Sequence, residues 1–254
     1  MNEPLVIKIG GSTLGSGDTT FRDIATMAAE GDVPVVVHGG GSEASRWLDA
    51  MAIPSRFENG LRVTDERVLP VVVAVFAGLV NKRIVAAINA AGARAVGLSG
   101  ADGRLLECRL SDPGLGFVGE PVAVHPESII ALRGAGIVPV ISSIGFVPGD
   151  ATDQLVNVNA DTVAGNIAAA VHARELVFLT DVEGVRDGAG NPIVSLTAAD
   201  ANDLIQRGVV AGGMIPKVQA CLHAVSLGVP VRIIDGRLPG SLRNREGAGT
   251  RFDA

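Results

Sequence analysis

Between Val156 and Thr162 the chain reads VNVNADT, which sets Asn157, Asn159 and Asp161 at every second position with Val158 and Ala160 between them. In an extended segment residues i, i+2 and i+4 share one side. Two amides and a carboxylate would then face one way while the small apolar residues face into packing. Such a set can bind a polar ligand and hold a carboxylate against a cation. A strand edge running into a helix cap accounts for one of the three, because Asp, Asn and Thr are capping residues and the helix candidate TVAGNIAAAVHA follows.

Cations that could meet that carboxylate come from elsewhere. Lys8 stands inside the apolar run LVIKIG, where an unpaired ammonium is costly, so it must face a carboxylate, an anionic ligand or water. Lys217 lies in GGMIPKV, where Gly212 and Gly213 loosen the backbone before a helix with Pro216 in its first turn; alone, it reads as an ordinary exposed helix lysine. Arg62, in ENGLRVTDE, sits in a Gly-containing loop before a TDE helix start. It can grip a carboxylate through two parallel N–H bonds or pair with Glu58 or Asp65.

Glycine-rich loops supply a second kind of chemistry. The first β-rich run ends in Lys8, Gly10, Gly11 and Ser12, the second in His38, Gly39, Gly40, Gly41 and Ser42. Glycine lets backbone N–H groups approach an anion at a helix start, so two such loops favour an oxyanion site over two coincidental turns. Thr180 and Asp181 end the run ELVFLT, and the turn-rich VEGVRDGAGNP beyond it could border a nucleotide. No Gly-Lys dipeptide occurs, which excludes a Walker A loop. Gly114 to Gly119 match GxGxxG by letter only, since they follow SDP and lead into PVAVHP. His38, His125, His172 and His223 form no metal-ligand spacing.

The elements that must position these residues are short β-rich runs alternating with helical patterns: LVIKIG and TFRDIATMAAE, VPVVVHG and SEASRWLDAM, then a helical stretch from about Thr64 to Ala91 and ARAVGLSG. Strands of near-continuous Val and Ile are buried on both faces, and their alternation with helices predicts an α/β fold, a three-layer αβα sandwich around a mostly parallel central sheet. LLECRL, GFVGEPVAV and FVPGDATDQLVNV read as inserted β-hairpins. The βα pattern resumes at IVPVIS, ELVFLT and VPVRIID, with a soft lobe boundary near His172 to Glu175, giving lobes 1–173 and 174–254. The run from Val68 to Val80 is apolar on nearly all sides. It is shorter than the roughly 20 residues of a membrane span and reads as a subunit interface or an internal core helix.

Composition narrows the partners. A chain of 254 residues with 47% hydrophobic content can build a large core. Its net charge of -6 offers no surface for a nucleic acid backbone, and no basic run suggests a membrane. Cys108 and Cys221 form neither a CxxC pair nor a disulfide framework, and MNEPLVIKIGG has no signal-peptide pattern. A reduced, cytoplasmic compartment is the expectation.

Taken in order, IKIGGS, VHGGGSE, FENGLRVTDE, VNKRIV, GLSGADG, VNVNADT, LTDVEGV and GGMIPKV resemble the amino acid kinase family across essentially the whole chain, and most closely its branch acting on N-acetyl-L-glutamate. The resemblance implies transfer of the γ-phosphoryl of ATP to a side-chain carboxylate, giving an acyl phosphate in arginine biosynthesis. A carboxylate with an ordinary pKa of about 4.3 is already ionised at neutral pH and needs no general base. What the transfer does need is charge neutralisation and in-line geometry. By resemblance, Lys8 and Lys217 stabilise the transition state from two sides, with Asp161 between them holding both. Arg62 and Asn157 bind the acceptor, Asn159 lines the same face, and Gly40 and Gly41 contact it through backbone N–H groups. Gly10, Gly11 and Ser12 cradle the phosphates. Thr180, Asp181, Val182, Glu183, Gly184, Val185 and Arg186, with Val209, Val210 and Ala211, border the ATP, whose Mg²⁺ is held by phosphates and water.

Ser42 and Glu43 depart from the family's HGGGP, which bears on how the second helix enters near the acceptor. A relative acting on carrier-linked aminoadipate or glutamate is the alternative; it calls for a basic docking surface that this acidic chain does not advertise. A silent amino acid and nucleotide sensor would not require both lysines, and a dehydrogenase would need the missing dinucleotide fingerprint. The first strand begins near Leu5, without the N-terminal helix through which arginine-inhibited members form hexamers. The expectation is therefore an arginine-insensitive homodimer joined through Val68 to Val80.

Overall fold

The computed structural model describes residues 2–10 and 19–253. The chain runs β1 (Leu5–Ile9), α1 (Thr20–Ala29), β2 (Val35–His38), α2 (Gly41–Ala50), a small hairpin of β3 (Phe57–Glu58) and β4 (Leu61–Arg62), and α3 (Val68–Val73). A π-helical stretch (Ala74–Val80) joins α3 to α4 (Asn81–Ala90), followed by β5 (Ala95–Ser99), β6 (Leu106–Leu110), β7 (Gly119–Val124), α5 (Glu127–Gly134) and β8 (Val138–Ser142). Then come β9 (Ile144–Val147), β10 (Gln154–Asn157), α6 (Ala160–Ala170), β11 (Glu175–Thr180), β12 (Ser195–Thr197), α7 (Ala198–Gln206), α8 (Met214–Ser226), β13 (Val231–Asp235) and β14 (Thr250–Asp253).

Eight strands form the central sheet in the order β12-β14-β13-β11-β1-β2-β8-β5. Every pairing in it is parallel except β13 with β14. The hairpin segments form a separate four-stranded sheet, β10-β9-β6-β7. The α/β sandwich with inserted hairpins is thus the observed fold. Alternation along each strand divides the core by sheet face: Leu5, Ile7 and Ile9 pack with α1, α2, α3 and α4, while Val6 packs with α5, α6 and α8. Both cores contain residues from before and after residue 174, and β1 pairs with β11, so the sheet runs unbroken across the lobe boundary.

The helical region expected from Thr64 to Ala91 is a continuous helix of 23 residues, Val68–Ala90, long and apolar enough to cross a membrane by length and composition. The apolar run alone underestimated it, so shortness is no argument against a span. Packing is the better one: Val68, Val71, Val72, Val75, Phe76, Val80, Ile84 and Ile88 are buried in the core on one sheet face, and Asn81 is buried with hydrogen bonds into the sheet. Pro70 and Ala74 are exposed. The helix therefore has a core face and an apolar outer face, which admits both readings of the run.

Candidate active site

Strand alternation explains why Lys8 is paired. It lies two residues from Val6 and so faces α6, where Asp161 occupies the first turn, and Lys8 Nζ stands 2.5 Å from Asp161 Oδ1. Both side chains are largely buried, which suits an ion pair shielded from water. The three polar residues of VNVNADT do not share one strand, however. β10 ends at Asn157, and α6 begins at Ala160, so Asp161 is helical. Asn159 is the N-cap, its Oδ1 accepting from Asp161 N at 2.9 Å and Thr162 N at 3.1 Å.

Lys217 corrects a second expectation. Its Nζ lies 3.3 Å from Oδ1 of Asp181, just beyond β11, and not against Asp161. Its helix still faces the same way: Cys221, one turn along α8, has its thiol pushed well up by burial and then by the charge of Asp161. Asp181 is held below the usual carboxylate range by a backbone hydrogen bond and by Lys217. Because β1 and β11 are neighbours, the two lysine–carboxylate pairs stand on adjacent elements at the carboxyl edge of the sheet, where open parallel sheets bind ligands.

A cleft of about 140 Å³ is lined by Gly39, Gly40, Gly41, Arg62, Asn157 and Asn159, together with Phe57, Gly60, Phe76, Val118 and Ser143. Arg62 is only 5% exposed and pairs with neither Glu58 nor Asp65. Its guanidinium donates to Ser55 Oγ, to Gly41 O at 2.8 Å and to Ser45 Oγ at 2.8 Å, and lies 4.6 Å from the Phe57 ring centroid. Burial lowers its pKa, opposed by Asp49. Asn157 Nδ2 donates to Thr64 Oγ1 at 3.1 Å. No side chain among the described residues caps α2, so its first N–H groups are available to an anion. Glu43 turns away from the cleft to Arg46, Trp47 and Arg83, and α2 still starts at Gly41 despite Ser42 and Glu43.

A second pocket, of about 510 Å³, is lined by Asp181, Val182, Glu183, Gly184, Val185, Arg186, Val209, Val210 and Ala211. Asp187, within the run VEGVRDGAGNP, lines it too, and sequence reasoning missed two further residues, Met214 and Arg237. Met214 lies three residues beyond Ala211, within GGMIPKV, whereas Arg237 reaches the pocket from beyond β13 and only the fold reveals it. Thr180 is placed differently from expectation. Its hydroxyl lies between the carbonyls of Val182 at 3.0 Å and Ile234 at 3.3 Å, so it shapes the turn while the pocket wall starts at Asp181. Gly10 donates its N–H to Leu179 O at 3.3 Å; Gly11 and Ser12 lie outside the described residues. The GxGxxG letters fall on a 3₁₀ turn, Pro113–Leu115, and the start of β7, not on a strand-to-helix loop.

Comparison with known proteins agrees with this geometry. A model of the amino acid kinase family matches residues 3–235. The chain is 46% identical over 246 residues to an acetylglutamate kinase of Parasynechococcus marenigrum (strain WH8102), covering 94% of this chain and 83% of that protein. It is 45% identical over 254 residues to one from Dinoroseobacter shibae, covering 97% and 88%. A crystal structure of smu.665 from Streptococcus mutans UA159 superposes with a TM-score of 0.85 at 27% identity, covering all of both chains. A parallel sheet with paired lysines at its carboxyl edge, and a family match across nearly its whole length, place this chain in the amino acid kinase family.

Proposed function

We propose that the chain transfers the γ-phosphoryl of ATP to the side-chain carboxylate of N-acetyl-L-glutamate, giving N-acetyl-L-glutamyl 5-phosphate in arginine biosynthesis. The observation that carries this is that two lysine–carboxylate pairs stand at the carboxyl edge of the sheet, where Asn159 and Ala160, next to Asp161, line a small cleft and Asp181 lines a larger pocket. Lining residues of the cleft all precede residue 174 and those of the pocket all follow it, which favours an acceptor-binding lobe, 1–173, and a nucleotide-binding lobe, 174–254. The names of the curated relatives favour free N-acetyl-glutamate over a carrier-linked acceptor.

In this reading Arg62, Asn157 and the N–H groups of Gly40 and Gly41 hold the acceptor, and Asn159 helps wall the cleft. An acceptor carboxylate oxygen attacks the γ-phosphorus, the bond to the β–γ bridging oxygen breaks, and ADP leaves with that electron pair. No proton moves, so no general base is needed. Lys8 and Lys217 neutralise the charge on the transferring group from the two sides, and Asp161 and Asp181 hold them in place. Mg²⁺ in this reading is carried by the nucleotide phosphates and water, where it would neutralise charge. The exposed apolar face of the Val68–Ala90 helix supports a homodimer through that helix. The two buried cysteines accord with a cytoplasmic site.

Hydroxylamine trapping with MgATP tests the reaction. Acyl phosphate is expected from N-acetyl-L-glutamate and not from free glutamate or N-acetyl-aminoadipate; no trapped product from N-acetyl-L-glutamate would overturn the reading.

A further inference from the structure

VNKRIV contributes no residue to the mechanism above, yet its Asn81 is fully buried where the π-helical stretch passes into α4. Asn81 Nδ2 lies 2.9 Å from Val140 O, 3.4 Å from Leu98 O and 3.0 Å from His38 Nε2, while Oδ1 accepts from Lys82 Nζ at 2.9 Å. Facing two carbonyls, the Nδ2 end must donate, so His38 Nε2 must accept. A neutral imidazole carries one N–H. Its proton then sits on Nδ1, which donates to Gly39 O at 2.7 Å. Burial keeps the ring neutral, its pKa pushed down to about 4, with Lys8 and Lys82 acting in the same direction.

A bond to the Gly39 carbonyl fixes more than that carbonyl. The peptide unit is planar and trans, so anchoring Gly39 C=O on the ring sends Gly40 N–H the opposite way. Both glycines are closely packed, leaving no room for a side chain: a Cβ on Gly40 would lie 2.8 Å from Phe76 Cδ1 and 3.2 Å from Val80 Cγ2, and one on Gly39 would lie 3.2 Å from Ala160 Cβ. The loop is thus held by the His38 ring, by Phe76 and Val80 of the π-helical stretch, and by the start of α6.

We propose that Asn81 and His38 are positioning residues: Asn81 selects the Nδ1–H tautomer of His38, and that tautomer aims Gly40 N–H at the acceptor. This rests on the assignment of the smaller cleft to N-acetyl-L-glutamate. The polarity of the chain runs Lys82 to Asn81 to His38 to Gly39, and reversing any link leaves two donors or two acceptors facing each other.

Two measurements test it. Long-range ¹⁵N–¹H correlation on histidine-labelled wild-type protein reads the tautomer without a variant: an Nδ1–H signature for His38 is expected, and an Nε2–H signature overturns the proposal. Steady-state kinetics then compare two substitutions, because an Asn side chain reproduces the Nδ1 end of the ring and Gln the Nε2 end. His38→Asn should keep the acceptor KM within about threefold, His38→Gln should raise it about tenfold or more, and the ATP KM should not move, as for loss of one oriented hydrogen bond. Equal acceptor KM values in the two variants, with both folded by circular dichroism, would overturn it. If wild type yields no acyl phosphate from N-acetyl-L-glutamate, the functional reading falls and with it the aim of Gly40 N–H at that acceptor, while the tautomer still decides whether Asn81 sets the proton of His38.

Discussion

The two cavities, proposed to take the acceptor and the nucleotide, hold their charges in different ways. In the acceptor cleft, Arg62 and Asn157 are almost wholly buried and bonded to protein groups, within a cavity of about 140 Å³. In the nucleotide pocket, of about 510 Å³, the charges are held by exposed pairs: Lys217 with Asp181, and Glu183 with Arg186. Exposed pairs contribute little to stability, whereas a buried guanidinium that loses its partners, or partners that lose their guanidinium, cost much more. The acceptor half is therefore preorganised by the fold itself. The nucleotide half carries charges whose main use is toward the ligand.

That contrast breaks most readily at the lysines. Lys8→Ala should lower kcat by about a hundredfold or more, as for loss of a preorganised charge facing the transition state, and should also destabilise the fold because Asp161 is left without Lys8 in a largely buried setting. Lys217→Ala should lower kcat by a similar order while leaving the melting temperature close to that of the parent. Near-normal turnover in either variant would remove that lysine from the mechanism.

Acid sharpens the comparison on the acceptor side. The pKa of His38 is lowered from 6.5 to about 4, so between those values the unfolded chain takes up a proton that the folded chain refuses. Its contribution to stability is complete above pH 6.5 and is lost as pH falls through about 4, a change of about 3 kcal/mol. Urea midpoints at pH 7 and pH 4.5 should show this loss, and His38→Asn should flatten it; identical slopes would mean that other groups dominate. Arg62→Ala should raise the acceptor KM by roughly 1.5 to 3 kcal/mol, the value of a charged hydrogen bond, and should also lower stability, since Gly41 O and Ser45 lose their donor. An unchanged acceptor KM would move the acceptor elsewhere. The smallest effect belongs to the exposed pair: Arg186→Ala should alter unfolding free energy by less than about 0.5 kcal/mol, and a larger loss would contradict the contrast.

Much of this was legible in the residues because the governing rules are local. Lys8 in an apolar strand demanded a partner, and period-two alternation delivered it to the α6 face beside Asp161. Residues from Asp181 to Arg186, which follow β11, and from Val209 to Ala211, which link α7 to α8, line one pocket. What was not legible depended on boundaries and on distant contacts. A helix start at Ala160 moved Asp161 off the strand, since capping by Asn159 competed successfully with extension. The partner of Lys217 followed from how α8 brings it beside the loop after β11, which no spacing encodes. The buried Asn81 to His38 link spans 43 positions, and VNKR gave only the presence of the asparagine.

The most direct test of this division of labour is calorimetric titration of N-acetyl-L-glutamate and of ADP, separately, into wild type and Arg62→Ala. The account predicts acceptor binding weakened about tenfold or more, as for a lost charged hydrogen bond, with ADP binding unchanged. Weakened ADP binding with intact N-acetyl-L-glutamate binding would contradict it and exchange the roles of the two clefts.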